Sequence, residues 1–140
     1  QYGDKFAFIL MPEDNCNKIT TMFSFYTWND PGDYRQLLDK HIPIKLNDIE
    51  TTAEVIQIIP VYDGLKVIFT LGVYPIKEYT YMIHTLYNHH KKYEIEIIDG
   101  INFKANKYFD ITINRWKLEK FIPSIKKAIN ICRESPNINT

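Results

Sequence analysis

Glycine is scarce in this chain, with 5 among 140 residues. Two of them, Gly64 and Gly100, directly follow aspartate and are accounted for by turns. A glycine-rich loop that cradles phosphate therefore has no material here. A nucleophile elbow of the G-x-S-x-G type is also missing, as are the HExxH and Walker patterns. No apolar run reaches the roughly 20 residues that a membrane-spanning helix needs. The longest runs are broken by Lys66, Lys77 and Glu78. No signal-peptide pattern is visible. The chain begins at Gln1 rather than Met, which reads either as a processed chain or as a piece of a longer protein. No Asn-x-Ser/Thr sequon occurs, which leans against a secreted eukaryotic origin.

An excess of either charge is also lacking: 17 basic and 17 acidic residues give a formal net charge of +0. Long-range electrostatics thus provides no strong case for binding nucleic acid or an anionic membrane surface. Low self-repulsion makes association with a partner, or with a second copy, easier. Cysteine is limited to Cys16 and Cys132, which form neither a CxxC pair nor a zinc spacing. The expectation is two separate thiols in an intracellular protein. The alternative is one disulfide tying the first loop to the last helix.

What the chain does have is apolar and aromatic content, 45% and 14% of residues, with 10 Tyr and 8 Phe. At this length the expectation is one soluble domain over 1–134 with a polar tail over 135–140. The apolar run Lys5–Met11 ends at Pro12 and reads as a strand. Ile19–Trp28 alternates aromatics with small polar residues and reads as its hairpin partner. The turn Asn29-Asp30-Pro31-Gly32 precedes a short helix over Tyr34–Lys40. His41–Glu50 reads as irregular, since Pro43 lacks a ladder donor.

The clearest motif is Ala53–Tyr62 and Leu65–Val73 joined at Asp63-Gly64, the pattern of a two-residue type I′ hairpin. Pro60 then has to lie at an edge or a bulge. Tyr74–Lys92 carries Ile76, Tyr79, Met82, Ile83, Leu86 and Tyr87 on one helical face. Pro75 stands at its start and His89-His90-Lys91-Lys92 at its end. Helix is favoured there over strand.

A second Asp-Gly hairpin joins Tyr93–Ile98 to Ile101–Lys104. A strand over Tyr108–Asn114 follows a turn at Ala105–Lys107. An amphipathic helix over Lys117–Arg133 closes the chain, kinked or started by Pro123. This order predicts an α+β fold, an antiparallel β-sheet with helices packed on one face, ending in a C-terminal amphipathic helix. The alternative is an open β-barrel with a C-terminal helix. In element order alone, that alternative resembles pleckstrin-homology-like or lipocalin-like architectures.

Candidate chemistry is thin. His84, His89 and His90 do not give the i, i+4 pairing of a helical metal site and read as a solvated helix end. Cys132 falls on an apolar stripe. Asp63 and Asp99 read as turn residues, and Asp110 as an exposed strand residue. The lysines of the last helix read as a solvated back. They could also meet acidic partners or RNA, with Tyr93, Phe103 and Tyr108 as stacking aromatics, but no RNP motif accompanies them.

The best recognition surface is the Trp28–Tyr34 loop, with Trp28, Asp30 and Tyr34 as partner-binding candidates, because Trp and Tyr dominate interface hot spots. The expectation is a non-catalytic protein-interaction domain without cofactor or metal, possibly one module of a larger protein. The alternatives are a small-ligand-binding domain with an apolar cavity between a curved sheet and the C-terminal helix, and an enzyme whose site is assembled from distant residues.

Overall fold

The computed structural model describes residues 5–29, 32–89 and 92–134. Seven strands form one antiparallel sheet: β1 (Phe6–Leu10), β2 (Lys18–Thr27), β3 (His41–Leu46), β4 (Ile49–Val61), β5 (Gly64–Pro75), β6 (Lys92–Ile97) and β7 (Ile113–Lys117). Their order is β1-β2-β5-β4-β3-β6-β7. Three helices accompany them: α1 (Ile76–His89), the single turn α2 (Ala105–Tyr108) and α3 (Phe121–Glu134). The expected α+β class and the C-terminal amphipathic helix are both present. The chain divides into two compact units, each made of discontinuous segments.

The first unit comprises Gln1–Phe6, Met22–Leu71 and Glu94–Arg115. Its core is a cluster of phenylalanines. Phe23 stacks on Phe69 with ring centroids 4.9 Å apart, and Phe25 and Phe109 meet Phe69 at 6.1 and 6.0 Å. All four are at most 2% exposed. Such pairs add about 0.5–1.5 kcal/mol each beyond the area they bury. The β4–β5 hairpin forms as expected, but its turn differs from type I′. Val61 pairs with Gly64, so the two loop residues are Tyr62 and Asp63. Asp63 has φ 69° and Tyr62 is not among the positive-φ residues. Type I′ needs positive φ at both.

Gly64 is required for space rather than for conformation. A Cβ there would overlap the carbonyl oxygen of Thr27 and the hydroxyl of Tyr26. Pro60 pairs with Leu65 beyond Glu54, the last β4 residue in the β3 register, so its missing donor costs no bond to β3.

His41–Glu50 is not irregular. It holds all of β3, which lies between β4 and β6. Pro43 is tolerated because it sits where β6 runs out. The pairing with β6 covers only Ile44–Leu46, and the Pro43 carbonyl accepts from Ile98 N–H just past the end of β6. The missing N–H points to that same side, past the ladder.

The second Asp-Gly hairpin shrinks to an isolated bridge between Gly100 and Phe103. Ile101 and Asn102 form its tip, and no strand continues over Ile101–Lys104. The expected strand over Tyr108–Asn114 is replaced by α2, a bend, and β7 beginning at Ile113. The expected helix over Tyr34–Lys40 is a 3-10 turn, Tyr34–Leu37.

The second unit comprises Ala7–Thr21, Gly72–Tyr93 and Trp116–Thr140. Tyr74–Lys92 is helical over most of its length, as α1, with Pro75 as the last residue of β5 rather than the first of the helix. A 3-10 turn over Leu118–Lys120 leads into α3 and leaves Pro123 in the first helical turn, where no intrahelical donor is required. The inner face of α3 is filled. Phe121 meets Phe8 at 5.3 Å and Tyr93 at 5.1 Å, and Tyr79 meets Phe8 at 5.8 Å.

Cys16 and Cys132 are joined in a disulfide across 116 residues of sequence, which corrects the expectation of two free thiols. The apolar stripe of α3 carries Cys132 onto the loop before β2. Asn15 and Cys16 both take left-handed backbone there, with φ 53° and 59°.

Candidate functional site

The residues worth assembling lie in the first unit, where the end of β2 meets α2. Thr27 Oγ1 donates to the Tyr108 carbonyl at 2.7 Å and accepts from Asn29 N–H at 3.1 Å. Asn29 Nδ2 donates to the Asn106 carbonyl at 3.1 Å, and Trp28 N–H to Asp110 Oδ1 at 3.4 Å. These bonds hold the backbone on both sides of Trp28. Its indole stands edge-on to the Tyr26 ring, with centroids 5.3 Å apart, and remains 56% exposed. Tyr26 in turn donates from its hydroxyl to the Tyr62 carbonyl at 3.3 Å. Tyr62, at the β4–β5 tip, is 90% exposed. A fixed Trp and a fully presented Tyr thus flank one buried Tyr.

A groove of about 480 Å³ opens in the same unit, between the 3-10 turn Tyr34–Leu37, the start of β3 and the Gly100–Phe103 turn. Leu37, Ile42, Pro43, Phe103 and Tyr108 supply its apolar lining. Gln36, Lys40, His41 and Asn102 are its polar members. Phe103 and Tyr108 stack with centroids 5.6 Å apart and planes 3° from parallel. Gly100 presses on Pro43, whose ring a Cβ would strike at 2.8 Å, so glycine is needed for this close approach. Asp99 steadies the turn from the other side. Its Oδ1 accepts from Ala105 N–H at 2.8 Å, satisfying an open donor at the start of α2. Ile101, at the turn tip, is 96% exposed.

Lys107 completes this end. Its Nζ donates to Asp33 Oδ2 at 3.3 Å and lies 5.1 Å from the Tyr108 ring centroid. The hydrogen bond and the charge of Asp33 raise its pKa.

Among the sequence candidates, Trp28 is exposed and held. Tyr34 is half-buried and begins the 3-10 turn whose Gln36 and Leu37 line the groove. Asp30 lies outside the described residues. Ile101 and Tyr62 escaped sequence reasoning. The signal for both was an apolar residue next to an Asp-Gly pair, at a turn tip where a polar residue is usual. Among the described residues no group of three or more His, Cys, Asp or Glu side chains is placed to hold a metal ion. His84 and His89 are exposed on α1.

The pKa values most affected by burial belong to Tyr79 and Tyr93, in the core of the second unit. Burial is the main cause for both, and it raises both above the ordinary tyrosine value. The Tyr74 ring packs against that of Tyr79, with centroids 5.6 Å apart. No helix among the described residues is long and apolar enough to cross a membrane. Comparison with known proteins returns no match, whether to a family model, a curated protein or a solved structure.

Proposed function

We propose that this chain is a non-catalytic protein-interaction module whose recognition surface is the Trp28 end of the first unit. One observation carries the reading: Trp28 is anchored on both sides by hydrogen bonds yet leaves more than half its surface to solvent. A pre-positioned aromatic loses little conformational freedom on binding, and Trp and Tyr are the commonest interface anchors. Tyr62 and Tyr34 extend the surface, and Asp110 holds Trp28 in register.

The packing of Phe121 against Phe8 and Tyr93 supports this reading over a ligand cavity beneath α3. The Cys16–Cys132 bond fits an oxidising compartment, where disulfides persist, rather than a reducing cytosol.

The test is quantitative affinity capture from an extract of the source organism, with the native chain and Trp28→Ala side by side, followed by mass spectrometry of proteins and small molecules. The reading expects a protein at near-stoichiometric amount with the native chain and at least a tenfold loss with the variant. A co-purifying small molecule, or a protein retained equally by Trp28→Ala, contradicts it.

A further inference from the structure

We infer that the open edge of β7 receives an extended segment of the partner, which joins the sheet there as a further strand. This deepens the interaction reading above and rests on it. Trp28, Asp110 and the first three residues of β7, 113–115, all belong to the first unit. β7 is last in the sheet order, and no strand among the described residues pairs with its outer side. Ile97 N–H donates to the Thr112 carbonyl at 2.8 Å, so Thr112 turns that group toward β6. Backbone groups alternate in direction along an antiparallel strand. Those of Ile113 and Arg115 therefore point away from β6, and none of them enters a turn or loop bond among the described residues.

This row names the form of its occupant. N–H and C=O groups that repeat at every second residue are matched by another extended backbone. Edges are commonly guarded by proline or by unpaired charge. Residues 111–114 carry neither. Arg115 is bonded through Nε to Glu94 on β6. Lys117 guards the far end of β7, which leaves the near end open.

The near end is continuous with the Trp28 surface. Asp110 Oδ1 accepts from Trp28 N–H at 3.4 Å, and the chain runs from Asp110 directly into Ile111. Ile111 is 42% exposed and Ile113 half-buried. A segment laid along residues 111–115 thus ends beside the indole. The chemistry that fits is an extended stretch with β-branched or aromatic side chains at alternate positions, facing Ile111 and Ile113. A second copy of this chain fits less well, since antiparallel self-pairing centred on Ile113 sets Ile111 against Arg115.

Affinity capture with the whole chain, joined to amide hydrogen exchange resolved to single residues, tests this. Ile113→Pro removes the outward N–H at a position where an edge strand tolerates proline. Ile113→Val keeps that N–H. Ile113→Val is expected to capture as the native chain does, and Ile113→Pro at least tenfold less. In the native complex the amides of Ile113 and Arg115 are expected to exchange at least tenfold more slowly than in the free chain, with Asn114 little changed. An unchanged near-ultraviolet circular dichroism spectrum confirms the fold of Ile113→Pro. The exchange measurement uses the native chain and decides the matter even where that variant does not fold.

Native capture by folded Ile113→Pro overturns the inference, as does unchanged exchange at Ile113 and Arg115. A captured species made of this chain alone overturns it in favour of self-pairing. If Trp28→Ala loses the partner while Ile113→Pro keeps it, the edge assignment falls and the interaction reading stands.

Discussion

The side chain of Thr27 joins two segments of the candidate surface, since its Oγ1 reaches the Tyr108 carbonyl at 2.7 Å across 81 positions of sequence. The same oxygen accepts from Asn29 N–H. Thr27 is 1% exposed, so water does not substitute for either bond. One buried hydroxyl thus couples the end of β2, just before Trp28, to the helical turn whose tyrosine lines the groove.

Thr27→Val keeps the β-branched shape and removes both bonds. It leaves the half-buried Tyr108 carbonyl and Asn29 N–H without their partner, which costs about 1–3 kcal/mol. Urea denaturation is expected to show that loss. Trp28 fluorescence anisotropy is expected to fall as the indole gains freedom. Native stability together with native anisotropy would show that the coupling is absent.

The sequence points to this end through local signals: Trp28 and Tyr34 flank an Asn-Asp-Pro-Gly stretch, and turn chemistry is encoded within a few residues. The Asp63-Gly64 pair marks a hairpin in the same way, although the loop residues are Tyr62 and Asp63, with Gly64 already paired to Val61. β3 was hidden because a proline inside a strand is acceptable only if the neighbouring strand ends beside it, and that fact belongs to β6. The groove was hidden for a similar reason. Its walls come from Gln36–Pro43 and Gly100–Tyr108, which no spacing rule connects.

The disulfide closes a loop of 116 residues. Constraint of the unfolded chain by a loop this long is worth about 4–5 kcal/mol in the chain-entropy account. Guanidinium denaturation with and without reductant is expected to differ by that order. Thiol titration of the unreduced, unfolded chain is expected to find no free cysteine. Two reactive thiols without reductant would refute the bridge.

The tyrosine pair sets an alkaline limit. Burial disfavours the phenolate of Tyr79 and of Tyr93, so their folded pKa values exceed the ordinary value near 10. Above pH 10 the unfolded chain releases protons that the folded chain retains. Stability is therefore level below about pH 10 and falls as pH rises beyond it. Absorbance at 295 nm is expected to show two of the 10 tyrosines ionising only on unfolding. Reversible ionisation of all ten in the folded chain would contradict the burial.

Phe69 lies at the centre of the first unit, 0% exposed and in ring contact with Phe23, Phe25 and Phe109. Phe69→Ala is expected to cost about 3–5 kcal/mol through lost burial and the cavity left behind. Phe69→Leu is expected to cost less. Equilibrium denaturation checks both, and equal losses would mean that ring packing adds nothing.

Hydroxyl-radical footprinting of the captured complex, read by mass spectrometry, tests where the partner sits. The two units offer a built-in comparison, since Tyr81 on α1 is 76% exposed, between Trp28 and Tyr62 in accessibility. The account predicts strong protection at Trp28 and Tyr62, with Tyr81 and Ile131 oxidised as in the free chain. Protection confined to Tyr81 and Ile131, with Trp28 still reactive, would contradict it.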